Sequence, residues 1–159
     1  MSAERVGGSR FDGEVDVAVR VSRVFAGITA EAIAQAGDGV TLPQLRVLVL
    51  ASASGGLDMT SVAEALDVHI SNASRLCERL VQAGLLLRRG SAADRRHVEL
   101  TLTAAGAELV AAVTAHRRDV VTRALRVMSP QQRSSVAEAM AVFADVVDEQ
   151  LERRHLATL

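Results

Sequence analysis

A chain of 159 residues, 49% apolar and 23% charged, is long enough to bury one core and has the balance of an ordinary globular domain. Its net charge of −1 excludes a protein that coats nucleic acid indiscriminately and leaves room for a local basic patch. The single Cys77 excludes an internal disulfide, no apolar run approaches the ~20 residues that span a bilayer, and the first residues offer no signal-peptide core; a cytoplasmic location with no membrane partner is expected.

Residues 1–13 are polar, Gly-containing and aperiodic, and are expected to form a flexible tail. From Glu14 to Ala36 the positions Val17, Val21, Val24, Phe25, Ile28 and Ala32 follow a helical rhythm, which Gly37-Asp38-Gly39 stops. Thr41-Leu42-Pro43-Gln44 opens a second helix running to about Ser54, with Leu45, Leu48, Val49 and Ser52 on one face. A short helix over Thr60–Leu66 follows, with Thr60 as N-cap and Ala63 and Leu66 inward. After the turn Asp67-Val68-His69 comes a helix from Ile70 to about Ala83, and Gly84 stands where a left-handed cap belongs. Leu85–Arg89 and the alternating His97–Leu102 read as a β-hairpin around the loop 90–96. Helices over about 103–128 and from Pro130 to about Arg153 close the chain, with Ser129-Pro130 as cap and first turn.

Helix, short helix, turn, helix, hairpin is the order of a helix-turn-helix with a wing. The expected fold is therefore mainly α with a small β-hairpin wing: a winged helix-turn-helix over 41–102, between an N-terminal dimerisation helix (14–40) and C-terminal dimerisation helices (103–159). In the helix from Ile70, the residues Ala73, Leu76, Cys77, Leu80 and Val81 must face the core. Ser71, Asn72, Ser74, Arg75, Glu78, Arg79 and Gln82 remain outside, which suits a recognition helix: Arg can take guanine bidentately and Asn can take adenine. Arg88 and Arg89 flank the base of the hairpin loop, and Asp94-Arg95-Arg96 occupy its tip. Six Arg against Glu78 and Asp94 give the stretch 71–97 a local charge of +4. Arg95 and Arg96 suit a narrow minor groove, and Asp94 can hold one guanidinium in place.

The segments TSVAEALDV, SNASRLCERLVQAGLLLRR and ADRRHVELTLTAAG together resemble the MarR family of bacterial transcription regulators. The combination RLxxRLxxAGLLxR with DRRxxxLxLTxAG carries the likeness, which extends over about Val15–Leu151. It implies a dimer with interlocked terminal helices and one winged module per subunit. It also implies that Ser71, Asn72, Ser74 and Arg75 approach the major groove and that Arg95 and Arg96 are the wing arginines. His69-Ile70 departs from the family pattern before the recognition helix, where Ser-Pro or similar is usual. His is a weak N-cap by type, and when protonated it opposes the helix dipole.

Apolar residues at Val136, Met140, Phe143, Val147 and Leu151 make a stripe that Val142, Ala144 and Val146 widen beyond one core's needs. With Val17, Val21 and Phe25 they form the expected dimer interface. The expected partners are double-stranded DNA, a second copy of the chain, and a small-molecule effector seated near Arg20, Arg46, His116 and Arg117. The expected function is a ligand-responsive repressor on a pseudo-palindromic operator; a winged-helix protein-interaction module without specific DNA contact is the alternative. No catalytic constellation, metal-ligand spacing or cofactor loop is found, so no enzyme activity, metal or cofactor is expected. Cys77, on the core face, reads as an inert thiol.

Overall fold

The computed structural model describes residues 3–36, 39–90 and 98–156, with side chains over 10–36, 39–90 and 99–149. Among them run six helices and one hairpin: α1 (Ala3–Ala36), α2 (Leu42–Ser54), α3 (Met59–Leu66), α4 (Ile70–Gln82), β1 (Leu86–Gly90), β2 (Val98–Leu102), α5 (Ala104–Arg126) and α6 (Pro130–Leu156). The expected tail needs correction, because α1 already begins at Ala3. Extending an existing helix adds one hydrogen bond per residue fixed, so extension does not require an apolar stripe. The exposed Arg10–Glu14 pair, 3.3 Å apart at i,i+4, belongs to this stretch.

Helix α2 is the centre of the core. Its start is closed by Gln44, whose Oε1 accepts from Thr41 N–H at 2.8 Å and from Thr41 Oγ1 at 2.9 Å, and Gly55 ends it with φ 74°. Leu45, Val47, Leu48 and Ala51 are its buried residues, whereas Val49 and Ser52, expected inside, are exposed. A single amphipathic stripe is the wrong template for this helix: α3, α4, α5 and β2 all pack on it, so its buried arc is wider than one face.

Asp58, not Thr60, caps α3. Its carboxylate accepts from Ser61 N–H at 2.8 Å and Ser61 Oγ at 3.1 Å, and Val62 and Ala63 go inward. The helix ends on Asp67 at φ 53°, with Asp67 N–H donating to Glu64 O and Val68 N–H to Ala63 O, both at 3.0 Å. Helix α4 ends in the same way on Gly84 (φ 71°), with Gly84 N–H to Val81 O at 3.0 Å and Leu85 N–H to Leu80 O at 2.9 Å. Two such terminations set the directions in which α4 is entered and left. The hairpin is antiparallel, pairing Leu86 with Leu102, Arg88 with Leu100 and Arg89 with Glu99. Leu57 joins its inner side through two backbone bonds to Leu100 of 2.8 and 2.9 Å.

The joint between hairpin and α5 is tight. Thr103 Oγ1 accepts from Gly106 N–H at 2.9 Å and donates to Gly84 O at 2.7 Å, so one hydroxyl ties the start of α5 to the end of α4. Gly106 lies against the backbone of Leu85, and a Cβ there would overlap the Leu85 carbonyl oxygen. Gly106→Ala must displace main chain rather than a side-chain tip, and is expected to lower stability by about 3 kcal/mol, the upper part of the overpacking range. Urea unfolding monitored by circular dichroism checks this; an unchanged midpoint would mean that α5 and the hairpin can separate freely.

Helix α1 packs along α5, with Ala32, Leu109 and Val113 buried between them. Helix α6, capped by Ser129 and Gln132, has no comparable packing partner among the described residues. Val136 and Val147 are half-buried, while Met140, Val142, Phe143 and Val146 are exposed, as are Val17, Val21 and Val24 on α1. Phe25 is half-buried, and the Leu151 side chain lies outside the described residues. Among the described residues no helix is long and apolar enough to cross a membrane.

Candidate nucleic-acid interface

Helix α4 divides as its sequence requires. Ala73, Cys77 and Leu80 are at most 2% exposed, Leu76 and Val81 are half-buried against the same core, and Ser71, Asn72, Arg75 and Arg79 are exposed. His69 caps the helix after all: its Nδ1 accepts from Ser71 N–H at 3.3 Å and lies 2.9 Å from Ser71 Oγ. Only a ring with an unprotonated Nδ1 can accept in this way, so the cap belongs to neutral His69.

Two concavities flank α4. On one side Thr41, Pro43 and Gln44 of the α2 start face Asn72, Arg75, Leu76 and Arg79 across a hollow of about 300 Å³. On the other, Ser74, Glu78 and Gln82 meet Arg88 of β1 across a hollow of about 180 Å³ floored by Cys77 and Leu100. Ser74 is thus not an outward residue like its neighbours; it is half-buried, and its Oγ donates to Glu78 at 3.2 Å. Arg88 and Arg89 are exposed on β1. Among the described residues, none of Arg75, Arg79, Arg88 and Arg89 enters an ion pair, whereas Arg123 is paired with Asp119 and Arg10 with Glu14. Arg75 on α4, Arg79 in its last turn, and Arg88 and Arg89 on the neighbouring strand make this the part of the described surface suited to a polyanion. Asp94, Arg95 and Arg96 lie outside the described residues.

Sequence reasoning missed Thr41 and Gln44 as neighbours of the arginines. The T-x-x-Q spacing at 41–44 marks a capped helix start, but only the packing of α2 on α4 brings that start to Arg75.

None of the residues expected around an effector lines either hollow beside α4. Arg46 Nη2 donates to Ala65 O at 3.0 Å, tying α2 to α3, and Arg20 and Arg117 are exposed. His116 alone is set between helices: its Nε2 is buried without a hydrogen-bond partner among the described residues, 4.0 Å from Glu31 Oε2. A different hollow of about 410 Å³ lies between α1 and α2, lined by Phe25, Ala26, Thr29, Ala30, Ile33, Val40 and Leu42.

Burial pushes the Cys77 thiol up to about 11, with Arg88 pulling against the shift and Glu78 adding to it. The thiolate is the reactive form, so Cys77 in the folded protein is expected to resist iodoacetamide at pH 7.5 and to label at the rate of global opening. Fast labelling that abolished DNA binding would instead make Cys77 a sensor.

The described geometry is matched in known proteins. The family model described as MarR matches residues 40–98. RV1404 from Mycobacterium tuberculosis is 34% identical, with a TM-score of 0.80 over 84% of this chain and 92% of that one. The HTH-type transcriptional repressor MdtR of Bacillus subtilis (strain 168) is 28% identical over 134 residues, 84% of this chain and 86% of its own. An S. aureus MepR mutant bound to an oligodeoxyribonucleotide shares the fold, with a TM-score of 0.66 over 84% of this chain and 97% of that one, at 20% identity. With its winged module matched by the family and a relative 34% identical along most of its length, the chain belongs to the MarR family of transcriptional regulators.

Proposed function

We propose that this protein is a sequence-specific, effector-responsive repressor that binds a pseudo-palindromic operator as a homodimer. The observation that carries the reading is the set Arg75, Arg79, Arg88 and Arg89 around the exposed side of α4, none of them in an ion pair among the described residues. In this assignment 41–102 is the DNA-binding region. Ser71, Asn72 and Arg75 meet base edges, with Ser74 at the margin of that surface. Arg79, Arg88 and Arg89 meet phosphates. The wing tip, Asp94-Arg95-Arg96, reaches the minor groove. The S. aureus relative's oligodeoxyribonucleotide and the repressor name of MdtR agree with this role.

The regions 14–40 and 103–159 are assigned to dimerisation. Support comes from the apolar residues α1 and α6 leave exposed, Val17, Val21, Met140 and Phe143, continued by half-buried Phe25, Val136 and Val147; Leu151 is assigned to the same interface on its place in the sequence stripe. A two-fold protein then reads half-sites about 34–36 Å apart or a multiple of that. The apolar hollow between α1 and α2 joins the dimerisation helix to the winged module, which suits an effector that is apolar and small. An effector that prefers one spacing of the two α4 helices by a few kcal/mol would switch occupancy.

Selection of duplexes from a random pool, followed by gel shifts over a salt series, tests the reading. The expected result is an inverted-repeat consensus and an affinity that falls steeply with salt. Recovery of no consensus, with flat weak binding, would favour a protein-interaction role.

A further inference from the structure

We propose that Ile70 reads the C5-methyl group of a thymine in each half-site, an inference that rests on α4 being the recognition helix. Ile70 stands three residues before Ala73 and seven before Cys77, so it continues the buried stripe of α4 past the end of the core. No core is left there to receive it, and it is 48% exposed at the first helical position. Val68, on the turn just before, is 38% exposed. Apolar surface therefore emerges at the N-terminal tip of α4, the end that a recognition helix directs at base edges.

The position is also held still. The cap from His69 Nδ1 to Ser71 N–H and Oγ closes a ring around Ile70, so its backbone is restrained on both sides. The apolar group that base edges offer in the major groove is the thymine C5-methyl, set among hydrogen-bond donors and acceptors. Exposed Asn72, two residues on, has the chemistry to take adenine bidentately. Together they favour A·T pairs, with Ile70 separating thymine from cytosine, which has no methyl group.

The test uses the full-length protein, the duplex selected above, and copies in which each thymine in turn is replaced by deoxyuridine, which deletes only the methyl group. At one thymine per half-site the wild type is expected to lose about fourfold in affinity, the worth of one buried carbon. Ile70→Ala is expected to keep the wild-type melting temperature, to bind the thymine duplex about as weakly as wild type binds the deoxyuridine duplex, and to be indifferent to that replacement. If wild type selects its consensus and Arg75→Ala relaxes it, yet no deoxyuridine position is felt by wild type and ignored by Ile70→Ala, the Ile70 assignment is wrong while the recognition helix stands. If wild type selects no sequence at all, both fall together.

Discussion

Phe143→Glu is expected to give a folded monomer that no longer shifts operator DNA at concentrations where wild type is saturated. Phe143 is 59% exposed in the single chain, and Val142 at 65% and Val146 at 47% lie within a turn of it. Helix α6 is 27 residues, about 40 Å long, and finds no extensive packing partner among the described residues. Apolar surface of that length is covered, on this reading, by a second copy. A carboxylate at Phe143 would be buried twice in a two-fold interface, each copy costing several kcal/mol when unpaired. The loss on DNA is larger than the loss of one contact set, because a monomer forfeits the effective concentration that links two half-sites, on the order of 10²–10⁴ in affinity. Sedimentation equilibrium and circular dichroism report assembly and fold independently. A variant still dimeric and fully active would place the interface elsewhere; an unfolded one would show that α6 supports the monomer itself.

Arg75→Ala and Arg88→Ala are expected to fail differently. Arg75 is exposed in the first half of α4, about one and a half turns from its capped start, within reach of base edges once that end is docked. Its loss should cost about 1–3 kcal/mol on the selected operator, much less on unrelated DNA, and broaden the consensus at one position. Arg88 sits on β1 across the hollow from Ser74 and Glu78, off the helix. Its loss should weaken all duplexes alike and reduce the salt slope by about one. Gel shifts with operator and scrambled duplex at several salt concentrations separate the two behaviours. If neither change alters binding, α4 is not in the groove.

The helix-turn-helix was legible because its boundaries are local chemistry. Gly55 and Gly84 take left-handed conformations that few residues tolerate, and Thr103 and Ser129 cap the helices that follow them; each signal acts within four residues. The division of α4 was legible for a related reason, since a helix with one side on a core shows a single stripe. Helix α2 was misread because it is covered from several directions, so Val47 and Ala51 are buried where a one-face pattern places Val49 and Ser52. The start of α3 was misread because Asp58 and Thr60 are both acceptable caps by type; the bonds from Ser61 go to Asp58.

By itself, then, the sequence determined the order of elements, the buried side of α4 and the basic character of 71–97, all properties of short-range spacing and residue type. The tertiary structure alone decided which of those polar residues face outward together. It set Ser74 across a hollow from Arg88 of the hairpin and brought Thr41 and Gln44 to Arg75 and Arg79. It also left α6 uncovered and Ile70 beyond the end of the core. These outcomes depend on where separate helices cross, and a crossing is fixed by packing between residues far apart in the chain, which no local spacing encodes.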